Sequence, residues 1–117
     1  MPTPPKKFKL RADQLMPLAT GHGGCIATDM ITVQGMKVGF MYRQPPLNRQ
    51  DSGWCFTAGT EPPEFMDDAA NHSIYDVNTI ANCDPDIIPL LDAPIGSAFE
   101  RDHSTGEFFP VEFEPQE

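Results

Sequence analysis

A chain of 117 residues is sized for one small domain. Its net charge of -9 arises from eight Lys and Arg against seventeen Asp and Glu, and it excludes the basic footprint that nucleic-acid backbones require. No apolar run nears the roughly 18 residues of a membrane span, while Leu, Ile, Val and Phe total 25 residues, enough for a modest core.

Thirteen prolines interrupt the chain, so long helices are excluded and the fold is β-rich. Residues 1–10 read as a flexible N-terminal tail. Residues 11–19 read as a short helix with Leu15, Met16 and Leu18 on its apolar side. Gly21-His22-Gly23-Gly24 is a turn. Cys25 to Val33 follows as a strand, and Gln34-Gly35 as a two-residue hairpin turn. Met36 to Arg43 alternates, with Met36, Val38, Phe40 and Tyr42 on one buried face. Gln44 to Ser52 is a loop. Gly53 to Ala58 is a third strand, with Trp54, Phe56 and Ala58 pointing one way.

Pro62 and Pro63 suit the first turn of a helix running to Ala70, with Phe65, Met66 and Ala69 inward. Asp76 caps another short helix carrying Val77, Ile80 and Ala81. Asp84-Pro85 repeats that signal before Ile87, Ile88 and Leu91, and Pro89 keeps this helix short. Ser97 to Arg101 and Glu107 to Phe113 are two more strands, the last with Phe109, Val111 and Phe113 on one face. Residues 114–117 are an acidic C-terminal tail. The expected fold is a single α+β domain over residues 11–113. It has a mainly antiparallel sheet of about five strands and two or three short helices, grouped between the third and fourth strands.

Chemical motifs are sparse. Cys25, Cys55 and Cys83 form no CxxC pair and read as reduced, buried thiols. His22, His72 and His103 show no metal-ligand spacing. Gly21-His22-Gly23-Gly24 resembles an esterase oxyanion loop, but no GxSxG elbow accompanies it. No catalytic, cofactor or metal residue is assigned. The acidic balance suits a basic protein partner. The candidate contact residues are Glu61, Glu64, Asp67 and Asp68, together with Asp84, Asp86 and Asp92, and the loop Gln44 to Asp51 is a further candidate. No signal-peptide pattern stands at the N-terminus, so a cytoplasmic location is expected.

Several segments stand in a familiar order: Cys25-Ile-Ala-Thr-Asp-Met-Ile-Thr, Lys37-Val-Gly-Phe-Met-Tyr-Arg, Asp51-Ser-Gly-Trp and Ile74-Tyr-Asp-Val-Asn-Thr-Ile-Ala-Asn. Asp84-Pro-Asp-Ile-Ile-Pro-Leu-Leu-Asp-Ala-Pro-Ile-Gly-Ser-Ala-Phe-Glu-Arg completes the series. Over about residues 21–101 the chain resembles a bacterial family of predicted immunity proteins of polymorphic toxin systems, immunity protein family thirty-three. Its matched residues include Trp54, Asp76, Asn78, Asp84, Asp86 and Glu100. The resemblance implies an α+β fold, no catalysis and no cofactor. It also implies a cytoplasmic toxin as protein partner, with neither nucleic acid nor membrane involved. The residues alone leave open an adaptor module or a small metal- or thiol-dependent hydrolase, and they do not determine the oligomeric state.

Overall fold

In the computed structural model, residues 10, 14–46 and 48–112 are described. Six strands and three short α-helices alternate along them: β1 (Gly24–Thr28), α1 (Asp29–Thr32), β2 (Phe40–Arg43), β3 (Asp51–Thr57), α2 (Pro63–Asp67), β4 (His72–Asp76), α3 (Val77–Cys83), β5 (Ala98–Arg101) and β6 (Phe108–Val111). Short 3-10 helices at Ala69–Asn71 and Pro85–Leu90 complete the set. The strands form one sheet in the order β4-β1-β3-β2-β5-β6. Every pairing is antiparallel except β1 with β3. The fold is the α+β domain expected, with one strand more, but the helices are not all grouped after the third strand, since α1 lies between β1 and β2.

The core lies on one face of the sheet. Cys25 and Ala27 of β1, Trp54 and Phe56 of β3 and Met41 of β2 meet Ile31 of α1 and Val77, Ile80 and Ala81 of α3. Ile87 and Leu91 close the layer from the second 3-10 helix and the turn after it. Trp54 stacks on Phe56 at 6.0 Å between ring centroids, and its indole N–H donates to the Leu91 carbonyl at 3.1 Å. Fully burying such side chains contributes about 1.5–3 kcal/mol each, so this layer holds the molecule together.

Both expected helix caps form. The Asp76 carboxylate accepts from the Asn78 amide, and Asp84 accepts from the Asp86 amide. Asp84 does more. It is fully buried, and its Oδ2 also accepts from the Val38 amide at 3.0 Å and from Arg101 at 2.5 Å. Arg101 in turn donates to the carbonyls of Val38 and Gly106 and lies 4.3 Å over the Phe108 ring. One buried ion pair thus ties together the entry to β2, the second 3-10 helix, β5 and β6.

Several expectations are corrected. Cys25 to Val33 is not one strand. Its β-branched second half winds into α1, because fully buried Ile31 joins the core beside α3. Gly35 does adopt a positive φ of 80°, but β1 and β2 are not paired, so it closes no hairpin. The strand expected from Met36 begins only at Phe40, and its buried face is reversed. Val38 is buried before the strand starts and bonds to the Asp84 side chain. Past Gly39 it is Met41, not Phe40 or Tyr42, that faces the core.

Residues 14–19 contain no α-helix, and 11–13 lie outside the described residues. The segment 16–19 is instead strapped to α3. The Asn78 Oδ1 accepts from the amides of Leu18 and Ala19, and Asn82 exchanges two bonds with Met16, all at 2.8 Å. The helix expected over 62–70 stops at Asp67 and buries no residue; Met66 and Ala69 are exposed. The strand β4 was not anticipated. On β6 it is Phe108 that packs against the core, while Phe109 is exposed; Phe113 and the tail 114–117 lie outside the described residues. Of the three cysteines, Cys83 is only half-buried. Of the N-terminal tail, only Leu10 is described.

Candidate protein-binding face

Side chains alternate across a sheet, so the register defines what the second face carries. Opposite the helical layer lie Ile26 beside Ile74, Cys55 beside Tyr42, and Phe40 between Thr57 and Glu100. Phe109 follows next to Glu100. The rings of Phe40 and Tyr42 sit 5.7 Å apart. The face is apolar and aromatic, yet among the described residues no core-forming helix covers it. Ile74 is 80% exposed and Phe109 40%.

Two hollows indent this open face. One of about 400 Å³ lies between Ile26, Ile74 and the loop residues Asn48 and Gln50, with Asp51 and Asp76 on its wall. The other, about 390 Å³, is lined by Phe40, Tyr42, Thr57, Met66, Glu100 and His103. Each joins apolar surface to carboxylates, a combination suited to a partner that brings apolar and basic side chains together.

The acidic candidates divide by what they touch. Asp84 is internal, as described above. Glu61 is also committed to the fold: its carboxylate accepts from the Thr28 hydroxyl and from the amides of Ala58 and Gly59 at 2.5, 2.7 and 2.8 Å. It thereby fastens the end of β1 to the end of β3. Asp86 accepts from Arg101 at 3.0 Å and lies 3.9 Å from Lys37, with half its side chain exposed. Glu64, Asp67 and Asp68 are exposed together on α2 and its C-terminal end, and Asp68 also caps the following 3-10 turn through the Ala70 amide. Asp92 is exposed in the turn after the second 3-10 helix. Charge alone did not separate these roles, and it did not single out Asp76 or Glu100 beside the hollows, whereas the candidate loop Gln44 to Asp51 does border the first of them. The exposure of Ile74 follows only from the register of β4.

The thiols are poor nucleophiles. Burial pushes the Cys25 thiol well above its ordinary 9.0, and burial also raises Cys55 and Cys83. All three are therefore protonated at neutral pH. Tyr42 is likewise raised, by burial first and then by neighbouring Cys55. His72 bonds the Met66 carbonyl through Nε2 at 2.9 Å, His103 lines the second hollow, and His22 sits in the glycine-rich turn. Among the described residues, no group of three or more His, Cys, Asp or Glu is placed to hold a metal ion.

A family model, the immunity protein Imm33 domain, matches residues 25–112. The chain belongs to that family. No curated protein and no solved structure matches it. The matched segment of this Imm33 domain runs from the second residue of β1 to the residue after β6, so it takes in the sheet except Gly24 and all three α-helices. The family supports an immunity-protein role with a protein as partner. No helix among the described residues is long and apolar enough to cross a membrane.

The Imm33 fold also sorts the residues on which the resemblance rested. Trp54 fills the core, Asp76 caps α3, Asn78 holds the strap, and Asp84 with Asp86 engages Arg101. Glu100 differs: it is exposed on the open face, beside Phe40 and the second hollow.

Proposed function

We propose that this chain is a non-catalytic immunity protein that neutralises a cognate bacterial toxin by binding it directly in the cytoplasm. The observation that carries this reading is the match to the immunity protein Imm33 domain across residues 25–112. Three features support it. The open sheet face offers aromatic and aliphatic area of the kind that anchors interfaces. The buried thiols are raised by burial, which disfavours a thiolate mechanism. The described surface is acidic: of its basic side chains Lys37, Arg43, Arg49 and Arg101, both Arg43 and Arg101 are turned inward onto backbone carbonyls.

An acidic surface accelerates encounter with a basic toxin and competes with a polyanionic substrate for its active site. The contact residues in this reading are Glu64 and Asp67 on α2 and Asp68 at its C-terminal end, joined by Glu100 on the open face, with Asp86 and Asp92 more peripheral. Asp84 and Glu61 serve the interior.

The test is co-expression with the toxin domain encoded beside this chain in its host. The reading predicts restored growth with the wild-type chain. A folded Glu64→Lys/Asp67→Lys/Asp68→Lys variant should bind about tenfold or more weakly at low salt, with the difference shrinking as salt rises. Undiminished killing in the presence of the wild-type chain would overturn the reading. Unchanged binding and salt dependence in the variant would remove α2 from the contact.

A further inference from the structure

The sheet has two edges, β6 and β4, and they are built differently. At β6, the Asp102 amide donates to the Glu107 carbonyl at 2.8 Å. Antiparallel ladders alternate bonded and non-bonded pairs. Glu100 and Phe109 are therefore a bonded pair, and the backbone of Phe108 and Pro110 turns outward. Proline has no N–H to offer, so Pro110 blocks addition of a strand there.

At β4, the Val77 amide donates to the Gly23 carbonyl at 2.9 Å. By the same alternation, Tyr75 and Ser73 bond inward to Cys25 and Ala27. The Ile74 amide and carbonyl, the His72 carbonyl and the Asp76 amide then face outward, while the His72 amide donates to the Ala69 carbonyl and the Asp76 carbonyl opens α3. This strand carries no proline, no lysine and no bulge against β1. Its central Ile74 is 80% exposed, beside the hollow that it shares with Ile26. Asp76 lies two residues further along the same face, Asp51 stands on the wall of that hollow, and Glu64, Asp67 and Asp68 precede the strand.

We propose that the outer edge of β4 receives an extended segment of the partner as a seventh strand, with an apolar side chain over Ile74 and a basic one beside Asp76. The identity of that partner as a toxin rests on the function proposed above; the edge geometry does not. Main-chain bonds to the His72 carbonyl, to both backbone groups of Ile74 and to the Asp76 amide would supply affinity, and the alternate side chains would supply specificity. A second copy of this chain fits less well, because two chains of net charge -9 repel each other.

The experiment follows backbone amide shifts of the full ¹⁵N-labelled chain titrated with a capped peptide, Lys-Thr-Val-Thr-Lys-Thr-Val. This peptide puts Lys and Val on one strand face and Thr on the other. Saturable shifts largest at the amides of Ile74 and Asp76 are expected. Replacing Lys by Glu in the peptide should weaken binding about tenfold or more at low salt. Ile74→Pro, which copies the device on β6, should weaken it to a similar degree, whereas Ile74→Thr should stay within about threefold. Methylating alternate peptide amides removes the same bonds without altering the protein, and it should abolish binding whether or not Ile74→Pro folds.

Shifts centred elsewhere, no binding, or equal binding of the methylated peptide would overturn the proposal. So would a free chain already dimeric through β4 in sedimentation. Loss of peptide binding with toxin capture intact refutes the strand addition alone. Failure of toxin capture with peptide binding intact refutes the immunity reading alone.

Discussion

Removing the Asp84 carboxylate is the most informative perturbation of the fold. The Asp84 side chain is 0% exposed and its partner Arg101 10%, so solvent can replace little of what is lost. In Asp84→Ala, the amides of Val38 and Asp86 lose their acceptor, and Arg101 keeps only Asp86 as a carboxylate partner. Breaking one side of such a buried pair costs about 3–5 kcal/mol. A domain of this length holds roughly 6–18 kcal/mol in total, so the variant should retain a fold of much reduced stability. Urea unfolding reads the loss directly. With a slope of about 2 kcal/mol per molar, the midpoint should fall by roughly 1.5–2.5 M. Replacing both partners, as in Asp84→Ala/Arg101→Met, should cost less than the two single changes added together. A midpoint shift below about 0.5 M in Asp84→Ala would refute the claim that this pair pins β2, the second 3-10 helix and β5 together.

Other expectations concern the strap, the thiols and the open face. Asn78→Ala removes the acceptor for the amides of Leu18 and Ala19, and it should cost about 1–2 kcal/mol. It should also expose residues 14–19 to limited proteolysis, which mass mapping of the fragments would detect. Because burial raises the Cys25 thiol, the folded chain keeps that proton where the unfolded chain loses it. The associated stability is fully present below about pH 8.5 and declines as pH rises above it. From an ordinary value of 9.0, Cys25 contributes a loss on the order of 1 kcal/mol between pH 8 and 9.5. Urea midpoints should therefore fall less steeply across that range in Cys25→Ala, with Cys55 and Cys83 supplying the remaining slope. Glu100→Lys should leave the unfolding free energy within about 0.5 kcal/mol of wild type, since its side chain is exposed, yet weaken toxin binding in calorimetry.

What was legible in the sequence was local chemistry. The caps at Asp76 and Asp84 and the strand around Trp54 could be read because side chain and backbone partner lie within two residues, or because aromatic alternation is strong. The errors arose where distant contacts overrode local preference. Ile31 and Thr32 favour a strand by themselves, but burial against α3 winds them into α1. The alternation from Met36 to Tyr42 is real as a pattern, yet the bond from Val38 to Asp84 breaks its phase and sends Phe40 and Tyr42 to the open face. β4 is only five residues long and gave too short a run to register. In the candidate site, acidity was visible but burial was not. Glu61 and Glu64 are alike as sequence, and only the folded chain separates the one that fastens two strands from the one left exposed.

Neutralisation by direct contact is the central claim, and native mass spectrometry of the purified chain mixed with its cognate toxin domain tests it most directly, paired with a toxin activity assay on the same sample. The account predicts a one-to-one complex and loss of toxin activity at equimolar ratio. Two separate species with toxin activity undiminished at molar excess of this chain would contradict it.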